Sequence, residues 1–219
     1  MSLREDISKL IEQSSKNIPP ETLNIMSADT ERLKQSGIID KNLKIGDKIP
    51  SFSLPNVKGE TITSAELLNR GPLVLSFYRG GWWPYCNLEL RALQLVLPAI
   101  ESFGAQLVAV SPNLPDKSLS AAEKNDLTFE VLSDVRNHVA REFGLLFTLA
   151  ENLRPIYESF GIDIPAFNGD DSFELPMPAT YVIDTNGIIT HVFVDPDYTR
   201  RLEPTEIVEI IKNMMKANK

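Results

Sequence analysis

The sequence predicts an α/β fold: a central mixed β-sheet flanked by helices, preceded by an N-terminal helical extension. Two observations carry that expectation. From Lys44 onward, short apolar runs punctuated by Gly, Pro, Asn and Asp alternate with stretches of helical periodicity. Toward the C-terminus two apolar runs meet at Thr185-Asn186-Gly187, and Asn-Gly between such runs is a strong hairpin signal. A hairpin joined to an alternating strand–helix pattern makes the sheet mixed.

Residues 1–44 read as the helical extension, and residues 45–219 as one domain. Leu3, Ile7, Leu10 and Ile11 recur at helical spacing, Pro19-Pro20 breaks that helix, Glu21 to Gln35 offers a second, and Gly37 closes it. In the domain, Leu73 to Tyr78 is a buried strand. Cys86 to Phe103 is a helix with Leu88, Ala92, Leu93, Leu95, Val96, Ala99, Ile100 and Phe103 forming a broad apolar face. Pro98 is expected to kink that helix or divide it in two. Gln106 to Val110 follows as a strand, Pro115 to Asn125 as a short helix, Phe129 to Leu132 as a third strand, and Asn137 to Phe143 as a helix. Thr180 to Asp184 and Ile188 to Val194 are the hairpin strands, and Glu206 to Lys216 is the last helix. Between Phe143 and Pro178 no period is legible. Pro155, Pro165, Pro176 and the turn Asn168-Gly169-Asp170-Asp171 suggest a long loop, a candidate lid, dimer contact or substrate wall. Internal repeats and low-complexity segments are absent.

Composition narrows the function classes. Of 219 residues, 42% are hydrophobic and 24% charged, ordinary for a folded globular chain. The net charge of −8, from 22 basic and 30 acidic side chains, opposes a broad nucleic-acid surface. No apolar run approaches the roughly 20 residues that span a bilayer. Met1 to Asp6 lack the apolar core of a secretory signal, so a cytoplasmic location is expected, with no membrane partner. A single cysteine excludes an intrachain disulfide, and with only His138 and His191 beside it neither a metal site nor a metal cofactor is expected.

The stretch that carries chemistry runs Phe77-Tyr78-Arg79-Gly80-Gly81-Trp82-Trp83-Pro84-Tyr85-Cys86-Asn87-Leu88-Glu89-Leu90. It leaves a strand, passes a Gly-rich loop and enters a helix. A thiol at that junction meets free backbone N–H groups and the positive end of the helix dipole, which lowers its pKa and yields the nucleophilic thiolate. Arg79 and Arg91 are the nearest cations in sequence. Glu89 opposes ionisation unless paired elsewhere; it is a candidate proton relay or an acidic residue favoured in a first helical turn. Trp82 and Trp83 could wall a thiol pocket or fill a core. Arg200-Arg201 could bind an anion or anchor a turn, and Asp195-Pro196-Asp197 reads as a strand-ending turn. A lone cysteine near a helix start is also compatible with an inert buried residue.

These residues resemble the alkyl hydroperoxide reductase/thiol-specific antioxidant family, the peroxiredoxins, and within it a branch that reads Phe-Tyr-Arg-Gly-Gly-Trp-Cys-Pro-Tyr-Cys-Asn. Ser133-Asp134, Pro178-Ala179-Thr180-Tyr181-Val182-Ile183-Asp184 and Asp195-Pro196-Asp197-Tyr198-Thr199-Arg200-Arg201 extend the likeness over nearly the whole chain. The resemblance implies a thioredoxin-like fold. Cys86, nine residues after Phe77, takes the peroxidatic position. Arg79 stands where the family has a loop-opening proline, Trp83 where it has a peroxide-orienting Thr or Ser, and Met177-Pro178 where it has an arginine. Trp83 also replaces the branch's first cysteine, so no Cys-x-x-Cys cycle can run. Pro178 before Ala179-Thr180 resembles the cis-proline that faces the thiol in thioredoxins.

By this resemblance the chain is a one-cysteine thiol peroxidase reducing hydrogen peroxide or organic hydroperoxides through a Cys86 sulfenic acid. An external thiol, either a low-molecular-weight thiol or a thioredoxin-like protein, would regenerate it. Cys86, Glu89 and Arg79 are the catalytic candidates; Trp82, Trp83, Tyr85, Pro178 and Thr180 are the pocket candidates. A homodimer is implied, with the apolar faces of the extension as the contact. Two alternatives stay open: a thiol-disulfide oxidoreductase variant acting by mixed disulfides, and a catalytically idle thioredoxin-fold binding protein.

Overall fold

In the computed structural model, which describes residues 2–217, the chain opens with two helices, α1 (Leu3–Asn17) and α2 (Pro20–Gln35). A capping box starts α1: the Glu5 N–H donates to Ser2 Oγ at 3.2 Å, and the Ser2 N–H donates to Glu5 Oε2 at 2.9 Å. Pro20 starts α2, where its missing N–H costs nothing. A small antiparallel pair follows, β1 (Ser53–Pro55) and β2 (Thr61–Thr63), then α3 (Ser64–Arg70).

The central sheet begins at β3 (Leu73–Phe77), which leads through the glycine loop to α4 (Pro84–Ser102) and β4 (Gln106–Ser111). Next come α5 (Pro115–Lys124), β5 (Glu130–Ser133) and α6 (His138–Glu142). The segment that reads as a long loop is structured: β6 (Leu146–Thr148), α7 (Arg154–Ser159), α8 (Ile164–Asn168) and β7 (Glu174–Pro176), with β6 and β7 paired antiparallel. Its pieces are three to six residues long, too short for periodicity to stand out. The hairpin is β8 (Ala179–Ile183) and β9 (Ile189–Val194), and α9 (Pro204–Ala217) ends the described chain.

The sheet order is β5-β4-β3-β8-β9, with β3 parallel to β4 and antiparallel to β8, the mixed sheet expected. Period-two alternation assigns the faces. Val74 and Val182 pack with Leu93, Leu97 and Ile100 of α4 and Ile207 and Ile211 of α9, whereas Leu73, Leu75, Phe77, Tyr181 and Ile183 point to the opposite core. Every residue of β3 is buried, which is why it reads as a continuous apolar run. Pro98 does not divide α4, which continues to Ser102, and Leu95, expected on its apolar face, is 82% exposed because it points away from both core clusters. Leu93 and Leu97 before the proline and Ile100 after it are buried in one cluster, and that shared packing offsets the lost backbone hydrogen bond.

Leu3 and Ile7 of α1 and Met26 and Leu33 of α2 are buried in the chain's own core, and α1 packs against α4. The Leu3 and Arg4 N–H groups donate to the Glu203 carboxylate at 3.2 and 2.6 Å, tying the start of the chain to the segment before α9. Among the described residues no helix is long and apolar enough to cross a membrane.

Candidate active site

The C-terminal ends of β3, β4 and β5 share one edge of the sheet with the start of β8. At such an edge, strand-to-helix loops collect and ligands bind. Here β3 hands over to a loop in which Trp83 is the N-cap and Pro84 the first residue of α4. The helix therefore starts two residues before Cys86, and the thiol belongs to its first turn.

Steric demands fix the loop. Gly80 has φ +151°, and a Cβ there would come 2.3 Å from Trp82 Nε1 and 2.7 Å from Asn113 Oδ1. A Cβ on Gly81 would come 2.4 Å from the Cβ of Ala121. Side-chain amides then hold the backbone. The Gly81 N–H donates to Asn113 Oδ1 at 3.2 Å, and Asn87 Nδ2 donates to the Gly81 carbonyl at 2.9 Å. Asn125 Nδ2 donates to Asn87 Oδ1 at 2.9 Å, while Arg91 Nε donates to Asn125 Oδ1 at 2.9 Å. Arg91 thus supports the loop's scaffold and is not the thiol's cation.

The cation at the thiol is Arg201. Its Nη2 lies 3.8 Å from Cys86 Sγ, and its Nε donates to Glu89 Oε2 at 2.7 Å. Its Nη1 donates to the carbonyls of Tyr198 and Arg200. The Arg201 and Glu89 side chains are 2% and 4% exposed, so this is a buried ion pair with the thiol on its flank. Burial pushes the Glu89 carboxyl up from its usual range and Arg201 pulls it back. The pair is ionised, because Arg201 keeps its proton and a neutral Glu89 would leave that buried charge without a counter-ion.

Cys86 is 0% exposed, and its pKa moves opposite to the expectation from its helix position. Loss of hydration pushes the thiol up, and Glu89 adds to that; Arg201, the Arg79 backbone and the Arg79 charge pull it down. The first-turn position does not overcome complete burial.

Arg79 is 2% exposed, and its guanidinium faces rings: its carbon lies 4.9 Å from the Phe147 centroid, 5.0 Å from Tyr198 and 5.8 Å from Trp83. Trp83 stacks on Tyr157 at 5.3 Å with an interplanar angle of 8° and meets Tyr198 edge-on at 5.1 Å. Tyr85 and Tyr198 meet at 5.3 Å, and half-buried Trp82 lies against Trp83 at 5.6 Å. Trp83 is thus a wall residue, and the segment between Phe143 and Pro178 supplies Phe147 and Tyr157 to that wall.

Glu89 and Arg79 act on the charge of Cys86, and Trp82, Trp83 and Tyr85 belong to the ring cluster that faces Arg79. Thr180 is enclosed within the sheet, registered between Ser76 and Phe193, and Pro178 is buried just before β8. No cis peptide bond occurs among the described residues, so the cis geometry expected at Pro178 is not found. His138 begins α6 at the surface, and His191 sits half-buried on β9. Arg200 pairs with Asp195 at 3.0 Å, and Asp195 and Asp197 form the expected turn by accepting the N–H groups of Asp197 and Thr199. Sequence reasoning missed Arg201 as the thiol's cation, together with Tyr198, Tyr157 and Phe147. The one signal for Arg201 was its place in an arginine pair flagged as an anion binder or anchor.

Comparison with known proteins agrees with this architecture. The profile of the AhpC/TSA family matches residues 45–192. Peroxiredoxin Bcp of Escherichia coli (strain K12) is 29% identical over 161 residues, covering 70% of this chain and 86% of that protein. The chloroplastic peroxiredoxin Q of Triticum aestivum is 24% identical over 200 residues, covering 90% and 79% respectively. Among solved structures, peroxidoxin BcpB from Mycobacterium tuberculosis superposes with a TM-score of 0.62 at 23% identity, covering 78% of this chain and 98% of that one. The structural likeness shows the thioredoxin-like peroxiredoxin fold.

Proposed function

Because the chain belongs to the AhpC/TSA family, we propose that it is a thiol peroxidase whose chemistry runs through Cys86 alone. The observation that carries this reading is the buried Arg201 guanidinium 3.8 Å from the only sulfhydryl of the chain. The Cys86 thiol first gives up its proton; the thiolate sulfur then bonds to the distal, hydroxyl oxygen of a hydroperoxide ROOH as the O–O bond breaks, giving Cys86–SOH and RO⁻, which takes up a proton in place of the one the thiol released and leaves as ROH. Arg201 holds the thiolate and then the negative charge developing on the leaving oxygen. Glu89 is a positioning residue, fixing the guanidinium through Nε. One external thiol condenses with the sulfenic acid, releasing water and leaving a mixed disulfide; a second displaces Cys86 and departs as a disulfide. The net reaction is ROOH + 2 RʹSH → ROH + H₂O + RʹSSRʹ. Complete burial of Sγ favours a small thiol over a protein thiol as the reductant.

In this reading residues 1–44 extend a thioredoxin-like domain spanning 45–219, and the setting is the cytoplasm, where thiols stay reduced. A homodimer through the extension is part of the proposal, supported by Ile11 and Ile25, which remain 43% and 36% exposed; sedimentation as a monomer would remove it. The activity test is consumption of hydrogen peroxide and cumene hydroperoxide with dithiothreitol as the external thiol. Turnover abolished by Cys86→Ser supports the peroxidase, and turnover equal to that of the buffer contradicts it. One observation favours a second reading, the idle binding protein: the thiol is fully enclosed and its pKa raised. That reading requires Cys86 to react with peroxide no faster than a free thiol.

A further inference from the structure

Arg201 stands on a stretch of chain without helix or strand. Residues 195–203 run from the end of β9 to the start of α9. Among the described residues one backbone hydrogen bond lies within them, from the Arg200 N–H to the Asp197 carbonyl at 2.9 Å. Regular structure therefore does not fix the place of Arg201, although its guanidinium lies 3.8 Å from Cys86 Sγ and 2.7 Å from Glu89 Oε2.

The N-terminal helical pair holds both ends of this stretch. Near its C-terminal end, one oxygen of the Glu203 carboxylate accepts the Leu3 N–H at 3.2 Å and the other accepts the Arg4 N–H at 2.6 Å. These N–H groups open α1, so they have no acceptor inside the helix and sit at the positive end of its dipole. A carboxylate bonded there makes a charge-assisted tie. Near the N-terminal end, Lys34 in the last turn of α2 meets Asp197 at 3.6 Å. Asp197 passes that hold into the turn by accepting the Thr199 N–H at 3.1 Å and the Thr199 hydroxyl at 2.7 Å. Between the two ties, Leu3 and Ile7 of α1 line a hollow of about 320 Å³ together with Thr199 and Arg201. Packing between helix and stretch is thus incomplete there, and the ties set their distance. Leu3, Arg4, Lys34, Asp197 and Glu203 all fall outside residues 45–192, so these ties are built beyond the family match.

We propose that the N-terminal helical pair is a clasp that sets Arg201 against Cys86, with Glu203 as its principal positioning residue and Lys34 as its second. Releasing the clasp lets residues 195–203 relax and draws the guanidinium away from sulfur. The consequence for the rate of peroxide reduction rests on the peroxidase reading; the consequence for thiol ionisation does not.

The test compares Glu203→Ala with Glu206→Ala in the full chain. Glu206 meets Arg4 at 3.9 Å with both side chains more than half exposed, a pair worth little. Glu203→Ala should move the alkaline rise in Cys86 thiolate absorbance to higher pH. It should also slow oxidation by hydrogen peroxide about ten-fold or more, since a misplacement of about 1 Å can cost about a hundred-fold. Glu206→Ala should change neither. In an Arg201→Met background Glu203→Ala should add nothing further, because the cation it positions is gone. Thermal melts check that the variants fold. Lys34→Met, at the other end, should shift both readouts in the same direction and keeps the test open if Glu203→Ala does not fold. Unchanged ionisation in Glu203→Ala, or a shift of equal size with and without Arg201, overturns the clasp. A shifted ionisation in a chain whose unaltered form is oxidised no faster than free cysteine upholds the clasp and overturns the peroxidase.

Discussion

Arg79 and Arg201 both bring a nearly enclosed guanidinium to the neighbourhood of Cys86, yet their surroundings differ in kind. Arg201 is held by a carboxylate, two backbone carbonyls and the thiol. Arg79 faces Phe147, Tyr198 and Trp83, and among the described residues no carboxylate lies within ion-pair distance of it. The first arrangement fixes a charge at a defined place beside sulfur. The second gathers three rings around a cation and so assembles the wall over the site. The lesson is that a cation adjacent in sequence organises the aromatic cover, while the cation that tunes the thiol arrives from 115 residues away.

The largest effect expected from breaking this contrast is Arg201→Met. It leaves Glu89 buried and unpaired, which should cost about 3–5 kcal/mol of folding stability by urea denaturation. The same change should slow Cys86 oxidation, because it removes the nearby positive charge that does most to lower the thiol pKa. Arg79→Met should differ sharply. Replacing a cation without a carboxylate partner by an apolar side chain of similar length should change stability by about 1 kcal/mol or less, while Trp emission shifts as the wall repacks. Equal losses in the two variants would erase the distinction drawn here.

Smaller effects sharpen it through pH. Burial raises the Cys86 pKa, Arg201 lowers it and Glu89 raises it. The alkaline rise in thiolate absorbance at Cys86 should therefore move to higher pH in Arg201→Met and to lower pH in Glu89→Gln, which keeps a hydrogen-bond acceptor for Arg201. A shift in the same direction for both would contradict the assigned roles. The smallest effect concerns stability. The folded thiol keeps its proton to higher pH than the unfolded one, so its contribution is full below the unfolded thiol's pKa. It declines as pH rises from there toward the folded pKa. Cys86→Ser should flatten that alkaline decline in a denaturation series.

Sequence alone revealed the sheet strands and α4 because each is long or continuously apolar, as Leu73–Phe77 is. It located Cys86, the glycine loop and Glu89 because they are contiguous. The pieces between Phe143 and Pro178 stayed illegible because three-residue strands and five- or six-residue helices carry no measurable period. Arg201 stayed hidden for a different reason. Its contact with Cys86 exists only after β9 has joined the sheet edge and the chain has turned back through Asp195 and Asp197. Burial of the thiol was one of two open readings: the helix-start argument carries the sign of the dipole but not the depth of the site, and depth reversed the pKa shift.

A peroxide-reducing Cys86 depends for its reactivity on Arg201. The most direct test mixes the reduced chain with substoichiometric hydrogen peroxide and follows trapping of the Cys86 sulfenic acid by mass spectrometry, beside free cysteine and the Arg201→Met variant. Oxidation faster than that of free cysteine by several orders of magnitude is expected, with most of that advantage lost in the variant. Oxidation of the unaltered chain no faster than free cysteine would contradict it.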